Sequence, residues 1–288
     1  MNYQPLKIQA KDGFILTSRL YLPENEVVGL MVCNAGTCIK QDFYQKIAMY
    51  LTKQDLAVLT YDYRGVGESK PANLRGFVAK ITDWAVLDMS GVFAWAKNTY
   101  PHLPKYLLAH SMGGQIIGLT PEVKIFDKIV TVASSYGNYQ FYAPDFQRLT
   151  KNRLIFMQWA EWWYGYIPGR WIGGEAWTKG VSREWRSWGK YKLAFSEIMQ
   201  LKGQKTHYEQ ITQAFRAYFV EDDIMATPET IPYYQKDFQA AQLEIIRLKP
   251  DNQAIGHFGF YTGRVAEVVW QEMATWLKTP KKDILKGS

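Results

Sequence analysis

Cysteine is scarce in this 288-residue chain, with only Cys33 and Cys38. Two are too few for a disulfide framework or a thiolate metal site. Cys33 falls in a strand-like run and reads as a small core residue; Cys38 lies in the loop that follows. Histidine is also sparse, with His102, His110, His207 and His257, so each one is a discriminating candidate for proton transfer. No apolar run approaches the roughly 18 residues of a membrane span. The start, Met1-Asn-Tyr-Gln-Pro5, has no basic segment followed by an apolar one, so no targeting segment is read and the expected location is cytoplasmic. Long basic runs are missing too. The formal charge of +7 is dispersed, and its one dense cluster is the tail from Lys278 to Lys286. No nucleic-acid-binding motif accompanies it, and the tail lacks the apolar face that a membrane-surface helix needs. Nucleic acid and membrane are therefore excluded as expected partners.

What is present is a soluble-type composition, 47% hydrophobic and 21% charged, of a length that fits one large domain or a domain with an insertion. Leu6–Ala10 and Phe14–Leu22 alternate around Asp12-Gly13 and predict a β-hairpin. Val27–Cys33 is a continuous apolar run, as in a strand buried on both faces of a parallel sheet. Helical spacing over Phe43–Lys53, a strand at Leu56–Tyr61, a helix over Thr82–Lys97 and strands at Tyr106–Ala109 and Lys128–Ala133 continue the alternation. After residue 205 it resumes with Ala214–Val220, Pro228–Phe238, Leu243–Leu248 and Val265–Leu277. Strand–helix alternation of this kind predicts an α/β fold, a mostly parallel sheet with helices on both faces.

Between residues 137 and 205 the pattern breaks. No clean strand is visible, and seven of the 11 tryptophans fall here: Trp159, Trp162, Trp163, Trp171, Trp177, Trp185 and Trp188. This stretch reads as an inserted helical lid between core segments 1–136 and 206–288. Its aromatics combine large apolar area with a polar handle, and the expectation is an apolar binding cleft beneath it. A packed subdomain without a ligand role is the alternative.

The chain is organised around Ala109-His-Ser-Met-Gly-Gly114. An apolar strand runs into Ser111, and a helix leaves it. A serine at such a corner with small residues around it is the nucleophile elbow, written G-x-S-x-G in its full form. Ala109 stands at the first glycine position and Gly113 at the second. A serine hydroxyl needs a base, and the base an orienting acid. His257, in the loop after Leu243–Leu248, is the expected base. His110 adjoins the serine but points away from its hydroxyl. The acid comes from the end of Ala214–Val220, where both Asp222 and Asp223 stand. A one-residue slip turns a strand side chain to the other face, so only one of them can orient His257. Asp222 is preferred for its D-x-I spacing to Ile224, with Asp223 as the alternative. The oxyanion hole should combine the Met112 N–H with one from the Ala35-Gly36-Thr37 loop, Thr37 first and Gly36 second.

These motifs, together with Asp62-Tyr-Arg-Gly-Val-Gly-Glu-Ser69 and Ile255-Gly-His-Phe-Gly-Phe260, resemble the α/β-hydrolase superfamily. More narrowly, they are similar to its serine-aminopeptidase-like and monoacylglycerol-lipase-like branch and to a bacterial group of predicted hydrolases within it. The resemblance implies no metal and no organic cofactor, and it implies that Asp62 and Arg64 brace loops beside the site. Two departures stand out: Ala109 for the usual glycine, and Ala35-Gly36 for the usual His-Gly of the oxyanion loop.

The expected activity is a serine hydrolase that cleaves an ester or thioester with an apolar acyl group through an acyl-enzyme. The expected partner is a small-molecule substrate. An acyltransferase or amidase on the same triad, and an idle hydrolase fold that only binds, are the alternatives.

Overall fold

The computed structural model describes residues 3–135, 138–172, 174–265 and 267–280. Its centre is an eight-stranded sheet in the order β1-β2-β4-β3-β5-β6-β9-β10. The strands are β1 (Gln4–Gln9), β2 (Ile15–Tyr21), β3 (Gly29–Asn34), β4 (Leu56–Tyr61), β5 (Lys105–His110), β6 (Lys128–Val132), β9 (Ala214–Val220) and β10 (Gln242–Leu248). The first hairpin is antiparallel and β2 joins β4 antiparallel; every pairing from β4 to β10 is parallel. Strands β3, β4, β5 and β6 are buried at every residue. That explains why they read as unbroken apolar runs: helices cover both faces of a parallel sheet. The two edges differ. Pro5 sits in β1, where a missing N–H costs no ladder bond, and β10 is only half-buried along its length.

The helices depart from simple periodicity in several places, two of them before the elbow. After it, the stretch expected as a helix over Pro228–Phe238 is a 3-10 turn, Pro228–Thr230, and a helix, Ile231–Asp237. The stretch expected as one helix over Phe43–Lys53 is a 3-10 turn, Gln41–Tyr44, followed by a helix, Gln45–Thr52. The helix expected over Thr82–Lys97 contains a π segment, Trp84–Met89, before its regular part, Ser90–Thr99. Gly91 lies against β1; a Cβ there would meet Gln9 O at 2.4 Å and Ala10 Cα at 2.6 Å. Only glycine permits that approach of helix to strand.

Between β6 and β9 the chain leaves the sheet. The described residues here form helices Pro144–Tyr164, Gly169–Ile172, Lys179–Trp188 and Phe195–Leu201 and a ribbon of two-residue strands, β7 (Tyr166–Ile167) and β8 (Trp177–Thr178). The ribbon was not expected; two residues per strand are too few to show a period. The expected start of this segment, Gly137, lies outside the described residues, as do Lys281, Lys282 and Lys286 of the basic tail. The helices rest on the core through specific bonds. Thr82 donates its N–H and Oγ1–H to Glu184 at 2.9 and 2.8 Å, and Thr178 Oγ1 donates to Ala79 O at 2.6 Å. The Phe195 and Ser196 N–H groups donate to Asp237 at 3.0 and 2.8 Å.

Candidate active site

Every candidate residue sits at the carboxyl end of a parallel strand, where open α/β sheets place their ligands. Ser111 follows β5, with φ 50° and ψ −123°. That is a left-handed conformation that a non-glycine residue adopts only under constraint from its surroundings. The turn leaves no room beside it: a Cβ on Gly113 would lie 2.4 Å from Ala35 O, and one on Gly114 2.3 Å from Ser134 Oγ. Ala109 is buried inside β5, paired with Asn34 and Thr131, and the sheet accommodates its methyl. The helix that follows is short, Met112–Gln115, and passes into a 3-10 turn, Ile116–Leu119.

The Ser111 hydroxyl is 2.9 Å from His257 Nε2, and His257 Nδ1 is 2.7 Å from Asp223 Oδ2. The expectation for the acid is thus corrected: Asp223, not Asp222, faces the imidazole. Strand β9 ends at Val220, and the Asp223 N–H donates back to Val220 O in a turn. Strict alternation therefore stops two residues before the acids, and the turn, not the strand, aims them. The second Asp223 oxygen accepts the Met225 and Ala226 N–H groups at 2.8 and 3.0 Å. Burial by itself would raise this carboxyl; the adjacent imidazole and the hydrogen bonds outweigh it and hold the group below its ordinary value. Asp222 instead accepts the Ile255 and Gly256 N–H groups, each at 2.9 Å. It clamps the loop that carries His257.

His110 lies beneath this array and is fully buried. Burial, reinforced by the neighbouring His257, lowers its pKa to about 3, so the ring is neutral. Its Nε2 is 3.0 Å from His257 O and its Nδ1 is 2.9 Å from Tyr44 Oη. A carbonyl can only accept, so Nε2 carries the proton and Nδ1 accepts from Tyr44. The Tyr44 oxygen in turn accepts the Gly36 N–H at 2.9 Å. This chain ties the histidine loop to the loop after β3, and sequence reasoning missed it; nothing in residue spacing announces Tyr44. It also commits the Gly36 N–H elsewhere. The Thr37 and Met112 N–H groups have no acceptor among the described residues. Asp62 accepts from Gln41 and from the Glu68 N–H, while Arg64 pairs with Asp88 and Asp12, so both hold loops and neither reaches Ser111.

Ser111 opens into a cavity of about 880 Å³. The insert supplies much of its wall through Thr150, Leu154, Met157, Trp177 and Trp185. Only two of the seven insert tryptophans line it. Trp188 is buried, and Trp159, Trp162 and Trp163 are 61–72% exposed. The aromatic wealth of this segment is therefore not chiefly a cleft lining. Cys38 also lines the cavity; burial pushes its thiol well above the ordinary range, and Cys33 up to about 12, so neither is a thiolate. Among the described residues no group of three or more His, Cys, Asp or Glu is placed to hold a metal ion, and no helix is long and apolar enough to cross a membrane.

Comparison with known proteins agrees with this architecture. The family model described as serine aminopeptidase, S33, matches residues 25–192, more than half of the chain, and the protein belongs to that family of esterase- and lipase-like serine hydrolases. Human monoglyceride lipase is 31% identical over 111 residues, 38% of this chain and 35% of that protein. Monoacylglycerol lipase of Mycolicibacterium smegmatis is 30% identical over 107 residues, 36% of each. The matched segment thus spans about a third of these curated relatives. A soluble variant of Saccharomyces cerevisiae monoglyceride lipase, solved with a substrate analogue, superposes with a TM-score of 0.71 at 16% identity, covering 96% of both chains. A Pyrococcus furiosus esterase superposes at 0.61 and 15% identity, covering 96% of this chain and 92% of that one. At such identities these structures speak for the α/β-hydrolase fold.

Proposed function

We propose that this protein hydrolyses a carboxylic ester or thioester whose acyl chain is held under the helical insert, which serves as a lid. The reading rests on one observation: Ser111, His257 and Asp223 form a continuous hydrogen-bonded chain at the base of a large cavity, beside two uncommitted backbone N–H groups. Ser111 Oγ attacks the carbonyl carbon as His257 Nε2 takes its proton. Asp223 keeps Nδ1 protonated and steadies the imidazolium. The Thr37 and Met112 N–H groups receive the oxyanion, where preorganised donors stabilise charge most. His257 then protonates the leaving oxygen or sulfur. Water, deprotonated by the same ring, releases the acid from the acyl-enzyme. Monoglyceride lipases among the relatives support an acylglycerol-like ester, and Ile39, Phe43, Met157, Trp177 and Ile224 give the cavity apolar walls that suit an acyl chain.

The test is turnover of p-nitrophenyl esters from acetyl to lauroyl, with Ser111→Ala as control. Serine-dependent turnover with a chain-length optimum is expected. A folded protein inert across the series would overturn the ester-hydrolase reading.

A further inference from the structure

Part of the cavity lining is polar, and nothing in the catalytic chain uses it. Gln115, Ser135, Tyr142 and Thr150 all line the cavity. They are only 5%, 6%, 7% and 4% exposed. Their side chains make no hydrogen bond to another described residue, and none of their polar atoms is sealed away without a partner, so these atoms face the open cavity. Gln115 is bonded only through its backbone, whose carbonyl accepts from Tyr208 Oη at 2.5 Å. Buried polar groups are nearly always paired. These four are not sealed in: they present donors and acceptors to the cavity, where water or a ligand can take them up.

Placement says which part of a substrate they would meet, given the hydrolase reading above, on which this step rests. Strand β5, carrying Ser111, lies between β3 and β6. The oxyanion loop follows β3, so the carbonyl oxygen points to that flank. The leaving atom points to His257, whose ring abuts Phe258 at 5.0 Å, with Phe43 a further 5.8 Å from Phe258. The remaining substituent of the carbonyl carbon, the acyl chain, faces the β6 flank. Ser135 lies just beyond β6, Gln115 is on the elbow helix beside it, and Tyr142 and Thr150 open the insert that follows. The groups are an amide and three hydroxyls, each able to donate and accept. They are neutral; the cations that line the cavity, Lys40, Arg153 and Arg264, are exposed.

We infer that this polar part of the lining is a subsite for a hydroxyl-bearing acyl chain, and that the enzyme prefers hydroxyacyl esters to plain alkanoyl esters. A plain chain would strip water from four polar groups and return nothing, and sites built to hydrogen-bond a substrate hydroxyl discriminate strongly against the analogue that lacks it.

The experiment compares kcat/KM for p-nitrophenyl octanoate with that for its 3-hydroxy and 8-hydroxy derivatives, in wild type, Gln115→Leu and Thr150→Val. Labelling of Ser111 by a fluorophosphonate probe is followed in each. The wild type should favour at least one hydroxylated ester by about tenfold or more, and each variant should pull that ratio toward one. The ratio is internal to each variant, so a general loss of activity does not imitate the effect. If Gln115→Leu does not fold, Thr150→Val carries the comparison. A labelled wild type with no preference for either hydroxylated ester, or a preference untouched by the substitutions, overturns the inference alone. Failure of Ser111 to label overturns the hydrolase reading beneath it.

Discussion

The sheet end and the helical insert are built on opposite principles. At the sheet end the polar atoms are largely bound to one another: Asp222 and Asp223 sit two and three residues beyond the end of β9 at Val220, yet between them they accept four backbone N–H groups and one imidazole. In the insert, large aromatics face water and polar groups face the open cavity. The long helix Pro144–Tyr164 shows both faces of this. Thr150, Leu154 and Met157 look into the cavity, while Ile155, Trp159 and Trp162 are 61–72% exposed. Geometry that must be exact for chemistry is fixed by the buried parallel sheet. On the function proposed above, recognition falls to a segment that rests on the core through side-chain bonds and through Val181, Trp188, Phe195, Ile198 and Met199, while its long helix turns an outer face to water.

The comparison is sharpest where it can be broken. The largest effect expected is Ser111→Ala, which should cut ester turnover by roughly 10⁶-fold, to the residual left by the oxyanion hole and binding. Next comes the choice of acid. Asp223→Asn should lower kcat by about 10³- to 10⁴-fold by spoiling the imidazole tautomer. Asp222→Asn, which weakens a loop clamp, should stay within about tenfold, the equivalent of one hydrogen bond of ~1.4 kcal/mol. Steady-state kinetics on one activated ester decide it, and equal losses would remove the distinction between the two aspartates.

A smaller effect is expected from His110, the polar centre of the sheet end. It stays neutral in the fold, with a pKa of about 3, but takes up a proton near pH 6.5 when unfolded. A folded value below the unfolded one means that its contribution is fully present above pH ~6.5 and is lost as pH falls toward 3. The slope is ~1.4 kcal/mol per pH unit. His110→Gln should therefore be the less stable protein at pH 7, with the gap narrowing by about 2–3 kcal/mol at pH 4.5. Urea unfolding at the two pH values measures it; parallel curves would show that His110 titrates alike in both states. Last and smallest, Trp162→Gln on the exposed face of the insert should shift stability by no more than about 0.5 kcal/mol. A larger loss in thermal unfolding would mean that this face is packed in solution.

Much of this was legible in the residues. Unbroken apolar runs such as Val27–Cys33 announce strands buried on both faces, and the small residues around Ser111 announce a turn too tight for anything larger. The insert was visible as a break in alternation, but where its tryptophans point was not, because composition does not say which side of a helix meets the core. The neighbours Asp222 and Asp223 show the limit most plainly. Both residue types suit the role, and their order along the chain does not separate them once the strand has ended and a turn sets their direction. Local sequence thus determined the sheet, the elbow and the small set of residues from which the hydrogen-bonded chain at Ser111 is drawn, because those depend on periodicity and side-chain size. Only the tertiary structure decided which aspartate meets His257, why Gly36 is committed to Tyr44, and that Gln115 faces an open cavity unpaired. Each of these depends on where distant loops converge, and that is set by the packing of the whole sheet.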